Sequence, residues 1–153
     1  MKYSFLDIQA FASSLYGGQR LTLVPYAYTV TFLALAQATQ ATQQLAITAN
    51  ADFILVGFKH RAQIGAAQVI QTKTAPFVRL LVTDSGSNQQ FTNSAIDLEN
   101  YSENGWGDKE LPFPRFIQGR TALTIQATNY APTAETYTSL DVVLNGVLVY
   151  KMG

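Results

Sequence analysis

Cysteine is absent from this chain of 153 residues. That one absence removes disulfides, thiolate nucleophiles, iron–sulfur clusters and cysteine–zinc sites together, and it leaves the redox compartment unreadable. Charge is scarce as well: 13% of residues are charged, about half the usual share. Ten Lys plus Arg balance ten Asp plus Glu, so no net field draws nucleic acid or an anionic membrane, and neither is expected as a partner. Histidine occurs once, at His60, and tryptophan once, at Trp106. Long apolar runs are missing too. The longest candidate, Leu21 to Ala36, is interrupted by Pro25 and repeated Thr, and it falls short of the roughly 20 residues a membrane span needs. The opening Met1-Lys2-Tyr3-Ser4-Phe5-Leu6-Asp7 has one cation and an early acid, which does not read as a secretory signal.

What is present is apolar and uncharged polar. Hydrophobic residues make up 48% of the chain and aromatics 12%. A single domain of this size buries roughly two-thirds of its unfolded surface without staples. Gln, Thr, Asn, Ser and Ala stand where charges usually would, and β-branched Thr suits strands better than helices. A neutral, weakly charged surface also lacks the self-repulsion that keeps copies apart. That points to a protein that works inside an assembly.

Helical periodicity is confined to Asp7–Leu15, where Ile8, Phe11, Ala12 and Leu15 fall at i, i+3, i+4 and i+7 before Gly17-Gly18. At about nine residues such a helix is marginal alone. Residues 1–19 are therefore read as a short helical or extended arm, docking on another subunit or capping its own domain.

From Arg20 the pattern changes to strands, giving one domain over 20–153. Leu21 to Ala36 reads as one strand, or as two broken at Pro25. Gln37 to Gln44 reads as a polar connector, followed by strands at Leu45–Thr48 and Asp52–Arg61. Phe53-Ile54-Leu55-Val56-Gly57-Phe58 is apolar on both faces, so that strand is predicted to be covered on both sides. Further strands are predicted at Ala67–Thr72, Phe77–Thr83, Leu123–Thr128 and Thr136–Met152. Asn145-Gly146 invites a two-residue hairpin, but the arms would be short, so one long terminal strand with a glycine bulge is preferred. Seven or eight strands without helical periods make an all-β antiparallel sandwich or barrel.

Residues 84–119 are the exception, rich in Ser, Gly, Asn and Pro. Phe91, Ile96, Leu98, Tyr101, Trp106, Leu111, Phe113 and Phe116 make this segment too apolar for disorder, so a long ordered loop is predicted, with a short strand at Ala95–Glu99.

Candidates for chemistry are few. His60 is the one possible centre of a Ser–His–Asp device. Between Lys59 and Arg61 it reads as an exposed strand-end histidine whose pKa those cations lower. Asp97, Glu99, Glu103, Asp108 and Glu110 cluster as oxygen donors of a kind that suits calcium, without the spacing of a dedicated calcium loop, and read mainly as a solvated acidic loop. The same carboxylates raise a glycosidase pair only in principle. Trp106 reads as a platform for a sugar, an anchor at a subunit contact or a lid on its own core. Nothing cradles phosphate. No cofactor and no metal is expected, and no enzymatic activity.

One stretch resembles a known group of proteins. It runs from Phe77-Val78-Arg79-Leu80-Leu81-Val82-Thr83-Asp84-Ser85-Gly86-Ser87 through Phe91-Thr92-Asn93-Ser94-Ala95-Ile96-Asp97-Leu98 and Leu111-Pro112-Phe113-Pro114-Arg115-Phe116. It continues with Leu123-Thr124-Ile125-Gln126-Ala127-Thr128-Asn129-Tyr130 and closes on Leu140-Asp141-Val142-Val143-Leu144-Asn145-Gly146-Val147-Leu148. This pattern, covering about half the chain, is similar to small virion accessory proteins of tailed bacteriophages, of the capsid decoration, cement or head–tail kind. The resemblance implies a jelly-roll-like β-sandwich and a structural role in the virion, and it transfers no catalytic residue. The partners it implies are further copies of the chain and a major capsid protein or other virion proteins.

Together these readings give a structural virion protein that binds the capsid lattice through the arm and the long loop. The expected anchors are Phe11, Tyr101, Trp106, Phe113 and Phe116. The alternative is a carbohydrate-binding module for attachment, assisted by calcium.

Overall fold

The computed structural model describes residues 3–65, 67–68, 76–103 and 109–151. Its first element is helix α1, Phe5–Leu15. The helix starts earlier than the apolar stripe because Ser4 caps it. Ser4 Oγ accepts the Asp7 amide at 3.1 Å, while Asp7 Oδ2 accepts the Ser4 amide at 3.0 Å, and this reciprocal pair satisfies two donors that a helix start leaves open. Gly17 and Gly18 end it with φ of 63° and 82°, a region glycine enters at little cost.

Strands follow in chain order: β1 Leu21–Leu35, β2 Gln40–Ala46, β3 Asp52–Ile64, β4 Ala67–Gln68, β5 Val78–Asp84, β6 Gln89–Gln90 and β7 Ile96–Asp97. After a single 3-10 turn at Leu98–Asn100 come β8 Ser102–Glu103, β9 Lys109–Ile117, β10 Ala122–Asn129 and β11 Tyr137–Lys151. The pairing has a simple rule. First strand pairs with last (β1 with β11), second with second-last (β2 with β10), then β3 with β9, and β5 with the short β6 and β7, all antiparallel. A long hairpin wound over itself in this way is a jelly roll. The β11–β3 and β10–β5 ladders complete two facing sheets, β1-β11-β3-β9 and β2-β10-β5-β6. The fold is therefore an all-β antiparallel sandwich with a short N-terminal helix.

Period-two alternation builds the core. Val78, Leu80 and Val82 on β5, and Leu123, Ile125 and Ala127 on β10, are fully buried from one sheet. Phe53, Leu55, Phe58, Leu140, Val142 and Leu144 meet them from the other. Each Val, Leu, Ile or Phe among them contributes about 1.5–3 kcal/mol by burial. The apolar run in β3 breaks the alternation for a reason. Asn145 pairs with Gly57 and Gly146 with Leu55, so Val56 is an extra residue, a bulge. The bulge shifts the inward phase from Phe53 and Leu55 to Phe58 and Ala62. Ile54 turns outward beneath α1, against Ala12 and Val149, so β3 is covered on both sides.

Gly146 sits opposite that bulge. A Cβ built there would lie 2.0 Å from the Ile54 carbonyl oxygen and 2.8 Å from the Phe53 ring. The terminal strand is thus continuous and bulge-paired rather than a hairpin. Pro25 does not break β1. Among the described residues β1 pairs with β11 on one side only, as an edge strand does, and edge strands tolerate a missing amide donor. The polar connector after β1 is shorter than the sequence suggests, because Gln40–Ala46 pairs along β10 as a strand.

Residues 84–119, expected as a long ordered loop, contain β6, β7, the 3-10 turn, β8 and the nine-residue β9. The far edge of β3 is completed piecewise: by β9 at Phe53–Gly57, by β8, running parallel, at Phe58 and Lys59, and by β4 at Gln63 and Ile64. The predicted strand at Ala67–Thr72 is described only for Ala67–Gln68.

Replacing Gly146 with Ala should destabilise the domain by about 2–4 kcal/mol, because the clash is with backbone rather than a movable side chain. Urea unfolding checks this; a change within about 0.5 kcal/mol, the range of a neutral surface substitution, would refute the bulge geometry.

Candidate interaction surface

Helix α1 lies on the outer face of the β1-β11-β3-β9 sheet. Ile8 and Ala12 are buried against it, with Ile54 and Val149 beneath and Phe11, Tyr16, Leu21, Leu23 and Val147 at the margin. Two tyrosines tie the helix ends down. Before the helix, the Tyr3 hydroxyl donates to the Leu111 carbonyl of β9. After it, the Tyr16 hydroxyl donates to Asp52 Oδ2, and Asp52 Oδ1 accepts the Gly119 amide at 2.7 Å. Burial, reinforced by Asp52, raises the Tyr16 pKa, so this hydroxyl stays a donor. The Tyr16 ring meets Phe116 edge-on at 6.1 Å.

Beside the first turn of α1 the sheet leaves an apolar groove of about 670 Å³, walled by Phe5, Ile8, Pro25, Tyr26, Val56 and Val147. On the other flank β9 bows outward. Glu110 pairs with Gly57 and Arg115 with Leu55, so Leu111–Pro114 spans a gap that β3 crosses with Val56 alone. Pro112 and Pro114 have no amide to give the ladder. Leu111 packs on the core from this arch, while Phe113 stands 81% exposed at its crest. Phe5 and Leu6, at 62% and 71% exposed, lie nearby on the first turn.

The residues singled out in the sequence separate here. Phe11, Phe113 and Phe116 share this side of the molecule: Phe11 half-buried at the edge of the helix–sheet contact, Phe116 at 36% exposure beside Tyr16. Tyr101 does not join them. It is buried in the domain's own core, with its ring 5.3 Å from Phe58 and its hydroxyl 3.1 Å from Thr92 Oγ1, so it offers no surface to a partner. Trp106 lies outside the described residues. Phe5 and Leu6 fall outside the expected anchors, although two large apolar residues beside the Ile8–Ala12 stripe imply a helix apolar on more than one face.

His60 contradicts its reading as an exposed strand-end residue. The Val56 bulge turns it inward in mid-strand, where it is 2% exposed, and its Nε2 lies 3.0 Å from Glu99 Oε1 on the 3-10 turn. Burial, not the flanking Lys59 and Arg61, lowers its pKa to about 4. The nearby carboxylate acts the other way without outweighing burial. A neutral ring in this place carries its proton on Nε2, because a bare Nε2 would set its lone pair against the carboxylate oxygen.

The acidic cluster also divides. Asp97 lies 3.6 Å from Arg79 and accepts from the Tyr130 hydroxyl; burial first, and then Asp97, raises the Tyr130 pKa to about 12. Glu99 faces His60 instead. Asp108 lies outside the described residues, and Glu103 and Glu110 are placed by their backbones alone, in β8 and β9. Among the described residues no group of three or more His, Asp or Glu is placed to hold a metal ion, and no helix is long and apolar enough to cross a membrane.

No protein-family model matches the chain, and no curated protein matches it. Among solved structures, a chain from the structure of infectious bursal disease virus, Gx strain, aligns over 88% of this chain at 13% identity. The TM-score is 0.29, and the alignment spans 36% of that viral chain. A likeness this loose says nothing about what the present chain does.

His60 predicts an acid-sensitive fold. Its folded pKa lies below the unfolded value of about 6.5, so its contribution is complete above that pH and declines as pH falls toward 4. Wild type should lose about 2–3 kcal/mol more stability than His60→Gln between pH 7.5 and 4.5. Parallel urea titrations read this; equal pH slopes in the two chains would contradict it.

Proposed function

We propose that this chain is a structural protein of a viral particle, made in the host cytoplasm and bound to the capsid lattice as a decoration or cement protein of the tailed-phage kind. It acts by adding buried surface across subunit boundaries rather than by catalysis. The observation that carries this reading is the exposed aromatic arch and helix turn, Phe113 with Phe5 and Leu6, on a jelly roll. Contiguous apolar surface on a domain usually marks a contact with other protein or membrane. A chain with ten cations and ten anions has no net repulsion to oppose close packing of copies.

The chemistry of the described residues supports a binding role. The single histidine faces Glu99 inside the sandwich, and Asp97 faces Arg79 and Tyr130 on the other sheet. The carbohydrate-binding alternative rested on Trp106 and a calcium-holding acidic cluster. The separation of Asp97 from Glu99 removes part of that support.

Particles of the virus whose genome encodes this chain, banded by density and analysed by mass spectrometry, should contain it in stoichiometric amount, released by mild denaturant before the shell itself. Purified chain added back should re-bind and raise the temperature at which the shell opens. Absence from washed particles, together with no re-binding, would overturn the proposal; selective retention on a glycan array would favour the attachment alternative.

A further inference from the structure

The contact surface carries both a knob and a hole. Phe113 is the knob: an aromatic side chain held between Pro112 and Pro114 at the crest of the bowed segment of β9, 81% exposed. Proline on each side restricts the backbone, so seating this ring in a pocket costs little further conformational freedom. The hole is the groove of about 670 Å³ between the first turn of α1 and strands β1, β3 and β11. The two features flank the same few residues. Tyr3 bonds the carbonyl of Leu111 in the arch, and the next residues, Ser4 and Phe5, wall the groove. Knob and hole therefore lie on either side of the start of α1.

We propose, resting on the assembly role above, that the partner at this face is a second copy of the chain. The dimer is isologous, and Phe113 of each copy fills the groove of the other. A two-fold axis near the first turn of α1 makes both contacts at once, since an isologous interface matches each patch to its own counterpart. The same axis brings the exposed Phe5 and Leu6 of the two copies together. Zero formal net charge leaves no overall repulsion between the copies. The dimer contact also explains why α1 is apolar beyond the face that Ile8 and Ala12 bury on the sheet: a helix apolar on several sides is one that is covered on several sides.

Light scattering on the full chain after size exclusion, across a concentration series, tests this. Wild type should weigh as a dimer. Phe113→Ser removes the knob and should weaken association by about 1,000-fold, as loss of a central aromatic anchor does at two places per dimer. Ala27→Trp, at an exposed position that lines the groove, should plug the hole and weaken it similarly. Leu33→Ser removes another exposed apolar side chain, 73% exposed on β1, and should leave the dimer intact. Circular dichroism confirms that each variant is folded. A monomeric wild type, or a dimer indifferent to both Phe113→Ser and Ala27→Trp, overturns the exchange. Either result leaves the particle-binding measurement on intact virus as the separate test of the assembly role.

Discussion

The architecture depends on one backbone constraint, the close approach of Gly146 to the carbonyl of Ile54 across the Val56 bulge. β11 is the strand that both β1 and β3 need, and β3 in turn carries β9, β8 and β4. Period two keeps Leu140, Val142, Leu144 and Leu148 of β11 on the inward face, while between the Asn145–Gly57 and Gly146–Leu55 pairs β3 has one residue more than its partner. The bulge absorbs that residue. Upstream of it Phe53 and Leu55 face the second sheet; downstream Phe58, His60 and Ala62 do. Without the phase shift His60 would face outward and Phe58 would leave the core.

The same bulge shapes the interaction surface. Two residues of β3, Leu55 and Gly57, hold β9 on either side of it, and the longer Leu111–Pro114 segment must bow out between them. Leu111 turns in and Phe113 turns out. On the outer face, Ile54 is released toward α1, where it and Val149 seat Ala12. Bulge, arch and helix seat are one arrangement, and it leaves Phe113, Phe5 and Leu6 in solvent around a groove. The exposed aromatics are thus a consequence of how the sandwich is wound, held in place by Tyr3 at one end of α1 and Tyr16 at the other.

Much of this was legible in the sequence, for physical reasons that differ between elements. β5 and β10 alternate strictly because each buries one face, so Val78–Val82 and Leu123–Ala127 announced themselves. The terminal strand is continuous with a glycine bulge, as expected, although Asn145-Gly146 lies in mid-strand; β1 and β3 pair with β11 on both sides of it, and that register is what rules out a hairpin. β2 was not legible, since an edge strand of Gln, Ala and Thr carries no apolar period and is defined by its register with β10. β9 hid behind its prolines, which mark a loop in isolation but sit here where the strand bows from its partner. His60 was misplaced because a bulge has no local signature: from alternation alone, its flanking cations put it at a solvent-facing strand end. Tyr101 was misassigned because an aromatic in an apolar excursion serves a core or an interface equally well, and only the packing on Phe58 decides.

The central claim is that the face built from α1 and the β9 arch is covered by protein. Backbone hydrogen exchange at low and high chain concentration tests it most directly, because it reads each segment without altering a residue. Protection should rise with concentration in Phe5–Leu15 and around Phe113, and stay constant in β2, β5 and β10 on the far sheet. Protection that is independent of concentration at α1 and the arch, or that rises only on the far sheet, would contradict it.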